Sequence, residues 1–140
     1  MDTTTTLVLI GYYLPRERRC FKRGREDYEE PPRQPINDFF YEQRKDFADL
    51  MRGWTFREGT HFPTNVNQAV SNLVASRLII VSSDFPWHYH FAPSVDYCFK
   101  MISSETSPTR RLTTSENSQL QKLTERFNEK VACPVVLNLE

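Results

Sequence analysis

Residues 7–13, LVLIGYY, are apolar throughout apart from Gly11. A stretch with no polar side must be enclosed from every direction, and in so short a run the expected form is a strand buried on both faces. A second run of this kind, RLIIVSS at 77–83, is rich in branched residues and is expected as another buried strand. Two segments with helical spacing lie between them. In the first, Ile36, Phe39, Phe40, Phe47, Leu50 and Met51 share one side, with Asn37 or Asp38 as the cap and Gly53 as the close. In the second, Val66, Ala69, Val70, Leu73 and Val74 form the stripe, capped by Thr64 or Asn65. WTF at 54–56 reads as a short strand between the two helices.

The order strand, helix, strand, helix, strand predicts an α/β fold. Its expected form is a central parallel sheet with helices on both faces, flavodoxin-like, joined by right-handed crossovers. The 140 residues suit one domain spanning 1–140. A charged, proline-ended segment at about 15–36, LPRERRCFKRGREDYEEPPRQP, has no apolar period and is expected as a long loop. Beyond residue 83, DFPWHYHFAPSVDYCFKMISS is aromatic, with a short helix expected after Pro93. Ser115 can cap a further helix whose face is Leu120, Leu123, Phe127 and Val131, and CPVVLNLE is expected as a final strand.

A formal net charge of +0 supplies no general attraction to nucleic acid or to an acidic membrane. The basic half of the charged loop, RERRCFKRGR, could hold phosphate, but EDYEE follows it and can neutralise it, so an accessory protein binding nucleic acid or a regulator through residues 16–34 is a minor alternative. No apolar run is long enough for a bilayer, and the N-terminal sequence is wrong for a secretory signal. Cys20, Cys98 and Cys133 are odd in number and lack zinc-like spacing, which predicts free thiols in a reducing, cytoplasmic setting. The chain is expected as a domain, free-standing or excised from a longer receptor or adaptor.

Three groups could carry chemistry. The segment REGTHFPTN at 57–65 places Arg57, Glu58, His61, Phe62 and Pro63 just before a helix. A large apolar group on a stiffened backbone, flanked by charges, has the make-up of an interface hot spot; alternatively Phe62 folds inward and Pro63 only starts the helix. His88 and His90 in WHYH would share a face on a strand and, with Cys98 or Asp84, could approach a metal, although the ligand spacing is sparse. Cys98 with either histidine could form a nucleophile and base, without an activating spacing. Four glycines in the whole chain argue against a glycine-rich phosphate loop.

The ordered set LVLIGYY, a helix, then WTFREGTHFPTNVNQAVSNLVASRLIIVSSDF resembles a Toll/interleukin-1 receptor (TIR) domain, best over about residues 54–85. Tyr12 and Tyr13 match the end of that family's first strand, Arg57, Glu58, Phe62 and Pro63 its partner-binding loop, Ser76 and Arg77 the approach to a buried strand, and SSDF its close; ACPVVL resembles the family's fourth strand. Thr64 stands where the family has glycine. The resemblance implies a TIR-like parallel sheet and a cytoplasmic signalling domain, of the sort used in innate immunity. Such a domain would self-associate or bind other TIR-like domains through residues 57–64, without a cofactor. It also implies an alternative, NAD cleavage. The carboxylate that enzymatic members place after SSDF has no glutamate counterpart here; Ser94 lies at the expected position and Asp96 is the nearest carboxylate.

Overall fold

The computed structural model describes residues 1–22, 34–56, 65–82, 88–103 and 113–135. In chain order these form α1 (Thr3–Tyr13), a 3₁₀ turn (Arg16–Arg18), β1 (Cys20–Lys22), α2 (Gln34–Gln43), α3 (Asn65–Ala75), β2 (Ile79–Val81), β3 (His88–Phe91), α4 (Val95–Ser103) and α5 (Thr114–Lys130). The architecture is mostly helical with one small antiparallel sheet, ordered β1-β3-β2. This overturns the expected flavodoxin-like central parallel sheet.

The correction begins at LVLIGYY, which is the body of a helix. Leu7, Val8, Leu9 and Ile10 are all buried on consecutive positions. A helix that is apolar all round is one enclosed by other elements, and a short apolar run cannot be told from a two-faced strand by period alone. Asp2 decides the local form. Its carboxylate accepts from the Thr5 N–H at 2.8 Å and from the Thr5 hydroxyl at 2.8 Å, capping the first turn. The helices α3, α4 and α5 pack around α1. Gly11 is where α1 meets the sheet: a Cβ there would lie 2.5 Å from Cδ1 and 2.8 Å from Cγ of Phe91.

The other expected strands also change. WTF at 54–56 belongs to no strand. RLIIVSS supplies only the three-residue β2, an edge strand on which Ile79 is buried while Ile80 and Val81 are 36% and 39% exposed. The central strand is β3, drawn from WHYHF. Registers Phe21↔Tyr89 and Ile79↔Phe91 put these four side chains on one face, against the helices. There Phe127 of α5 sits edge-on to Phe21 and Phe39, with Phe91 and Phe40 tilted beside it. The start of the charged 15–36 segment is structured: it holds the 3₁₀ turn and β1, and α2 already begins at Gln34. The predicted final strand is reduced, over its described residues, to an antiparallel bridge between Phe21 and Ala132 and the bonds Cys133 N–H to Cys20 O (2.9 Å) and Val135 N–H to Glu17 O (2.9 Å).

The helical stripes fall as their spacing requires. Ile36, Phe39, Phe40, Phe47, Leu50 and Met51 are buried, as are Val66, Ala69, Val70 and Leu73, and Leu120, Leu123, Phe127 and Val131. The first of these segments is not one continuous helix: α2 ends at Gln43 and turns carry the chain to Gly53, which has φ +85. α2 begins at Gln34, with Pro35 in its first turn where a missing N–H costs nothing, so Asn37 and Asp38 lie inside the helix and neither is its cap. The cap of α5 is Thr113, two residues before the expected Ser115. Its hydroxyl accepts from Glu116 N–H at 3.0 Å and its own N–H donates to the Glu116 carboxylate at 3.2 Å.

The end of α3 is a Schellman turn. Leu78 N–H donates to Leu73 O at 2.9 Å and Arg77 N–H to Val74 O at 3.1 Å, and Arg77 has φ 62. An arginine there bears the left-handed cost that glycine avoids. Arg77→Gly is therefore expected to raise stability by about 0.5–1 kcal/mol, read from urea midpoints. Gly11→Ala is expected to do the reverse. The methyl would gain helix propensity but must displace the buried Phe91 ring, for a net loss of about 1–3 kcal/mol in the same titration.

Candidate functional site

The predicted partner-binding residues Arg57, Glu58, His61, Phe62 and Pro63 lie outside the described residues, but both ends of their segment are on view. Asn65, the first residue of α3, turns its side-chain oxygen to Thr55: the Thr55 hydroxyl donates to Oδ1 at 2.9 Å, and the Thr55 N–H donates to the same oxygen. Residues 55 and 65 are thus clamped together. Helix geometry makes this economical, because an N-terminal side chain of α3 is free to bond outward rather than inside the helix.

The clamp stands on aromatic residues. Trp54 lies edge-on to buried Phe40, with ring centres 5.6 Å apart, and its indole N–H donates to Met1 O at 2.8 Å. Phe56 lies 6.2 Å from Trp54 and 6.1 Å from Tyr41, and the Arg44 guanidinium sits 3.5 Å over the Tyr41 ring. Trp54, Phe56 and Tyr41 are each half-buried. Beside them, Asn37 of α2 donates to Asn67 of α3 at 2.7 Å, tying the two helices that flank the clamp. The result is a partly exposed aromatic and cationic rim beside the Thr55–Asn65 clamp. Rings of this kind lose little rotamer freedom on binding and dominate interface energetics.

Asp96 lies elsewhere, in the first turn of α4, and is committed to arginines. Arg19 Nη2 is 3.0 Å from its Oδ1 and Arg16 Nη2 is 3.5 Å from its Oδ2. The Arg19 contact is an ion pair rather than a directed hydrogen bond, since Oδ1 receives no well-aimed N–H among the described residues. The guanidinium N–H groups of Arg19 point instead at Leu14 O (3.2 Å) and Tyr12 O (2.8 Å), the carbonyls at the end of α1. Arg19 therefore fastens the end of α1 to the start of α4. Arg18 is also used internally: it donates to Asn128 Oδ1, Asn128 O and Ala132 O, each at 3.0 Å. Of the three arginines in RERR, only Arg16 extends into solvent, with its side chain 85% exposed. Two of the cations that the sequence offered to phosphate are thus structural.

His88 and His90 do share a face of β3, opposite the aromatic core, with ring centres 6.3 Å apart. His90 is fully buried and neither ring nitrogen has a hydrogen-bond partner among the described residues. Cys98 is on α4 and does not group with the histidines, Asp84 lies outside the described residues, and no set of three or more metal-binding side chains comes together among the described residues. Burial pushes the His90 pKa below its ordinary 6.5, and the neighbouring His88 pushes it further the same way. The unfolded chain then takes up a proton near pH 6.5 while the folded protein resists it. Stability is expected to be full above pH 6.5 and to fall as pH drops below it toward the depressed value. Urea titrations at pH 7.5 and 5.5 measure the loss, and His90→Leu is expected to flatten it.

No helix among the described residues is long and apolar enough to cross a membrane. No protein-family model, curated protein or solved structure matches the chain.

Proposed function

We propose that this chain is a protein-interaction domain that self-associates or binds a domain of like kind through residues 57–64. The observation carrying this reading is the Thr55–Asn65 clamp beside Trp54 and Phe56, which joins the residues on either side of a segment rich in hot-spot residue types. Fixing both ends of a segment lowers the ordering cost of binding, so more of the contact energy of Phe62 and its neighbours is kept. Arg44, Tyr41 and Phe56, beside the clamp, match the composition of interface centres. A role in signalling assembly rests on the resemblance of residues 54–85 to the TIR loop and the helix after it. In such assemblies individually weak contacts accumulate through multivalency.

Light scattering against concentration tests the proposal. The apparent mass of the wild-type protein is expected to rise with concentration, and Phe62→Ala and Pro63→His are each expected to weaken association by about tenfold or more. Thr55→Val, which removes one bond of the clamp, is expected to weaken it less while leaving the thermal midpoint nearly unchanged. Association that is indifferent to all three substitutions would move the interface away from this loop.

A further inference from the structure

Cys20 and Cys133 are 113 positions apart in the chain, yet their sulfurs lie 2.9 Å from one another. Neither is in a disulfide, and both are buried. Their meeting follows from backbone pairing. The bridge Phe21↔Ala132 is antiparallel, so the next pair along it is Cys20 opposite Cys133, and the Cys133 N–H donates to Cys20 O at 2.9 Å. Directly opposed residues in an antiparallel pair have Cα atoms roughly 5.5 Å apart and side chains on the same face. That separation falls in the middle of the range a disulfide spans. Cys98, the third thiol, is half-buried on α4 and forms no such pair.

We propose that Cys20 and Cys133 are an oxidation site, a dithiol that peroxide converts to a disulfide and thiol reductants restore. Its role is to fasten the segment after α5 to the outer edge of β1. In the reduced protein that segment is held by the Phe21–Ala132 bridge, the bonds at Cys133 and Val135, and the Arg18 guanidinium. The disulfide makes the attachment covalent and closes a loop of most of the chain.

The chemistry balances with hydrogen peroxide as the oxidant. The Cys133 sulfur attacks one peroxide oxygen, the O–O bond breaks, and Cys133 becomes a sulfenic acid with release of water. The Cys20 sulfur then attacks the sulfenic sulfur, the S–O bond breaks, and the hydroxide leaves with the Cys20 proton as a second water. Two thiols and one peroxide give one disulfide and two waters. Cys133 is the thiol that reacts first, because it is 8% exposed while Cys20 is fully enclosed. The hydrogen bond it shares with Cys133, and then burial, raise the Cys20 pKa, so Cys20 keeps its proton until the second step. Peroxide, close to water in size, suits so enclosed a pair better than a bulky disulfide reagent.

The test uses the full chain, reduced and then exposed to hydrogen peroxide, with free thiols alkylated and counted by intact mass. The expected result is a fall from three alkylated thiols to one, a peptide map joining Cys20 to Cys133, and reversal by dithiothreitol. The oxidised form is expected to melt about 5 °C or more above the reduced form, since a cross-link closing so long a loop restricts the unfolded chain strongly. Cys98→Ser is expected to keep the cross-link, its reversal and the melting shift, with alkylated thiols falling from two to none, whereas Cys133→Ser blocks the cross-link. Three thiols persisting, over-oxidation without a cross-link, or a link that involves Cys98 would each overturn the proposal. Wild-type mass and mapping decide it even if Cys133→Ser fails to fold.

Discussion

The enclosure of α1 is the constraint on which the rest of this structure depends. Leu7, Val8, Leu9 and Ile10 are each at most 4% exposed, so the helix needs cover on every side. Burying such a side chain is worth about 1.5–3 kcal/mol, and consecutive burial of four is available only where several elements converge. The helices α3, α4 and α5 supply three sides. The sheet supplies the fourth at Gly11, where the missing side chain lets the Phe91 ring sit against the helix backbone. A helix so surrounded has few free polar groups at its end, and Arg19 closes that account by reaching the carbonyls of Tyr12 and Leu14.

What the sequence made legible follows from period. Amphipathic stripes carry their own orientation, so the buried faces of α3 and α5 and the apolar side of residues 36–51 are read correctly from spacing. Runs apolar on all sides carry no such signal. LVLIGYY satisfies a two-faced strand and an enclosed helix equally well, and the choice falls to the Asp2 cap and to the surrounding helices. That one residue run decides the fold class, because a strand there invites parallel partners while a helix there leaves only short antiparallel strands. RLIIVSS, branched and apolar, looks central yet is an edge, since its neighbour in the sheet is the aromatic WHYHF. Which strand is central depends on pairing between distant residues, which local pattern does not encode.

The candidate site divides in the same way. The residue types of 57–63 announce an interaction segment by composition, and Asn65 announces itself as a helix-start residue. Its use as a clamp on Thr55 needs the chain to return within reach, which only the fold supplies. Asp96 was visible as an acidic residue after a strand, but its partners, Arg16 and Arg19, come from a segment whose charge pattern read as a loop. The strand face shared by His88 and His90 was legible from alternation; the burial of His90 was not, because alternation says which residues share a face and not what covers that face.

The placement of α1 has a consequence for biosynthesis. The most apolar helix, α1, is synthesised before every helix that covers it, and the last of these, α5, extends to Lys130. Nor can Arg18 engage Asn128 and Ala132 until that final stretch has been made. Between the synthesis of α1 and that of α5 the nascent chain therefore carries an uncovered greasy segment that local folding cannot hide. Chaperone capture at α1, and folding that completes only once α5 has been made rather than progressively, are the natural outcome of building a core around its first helix.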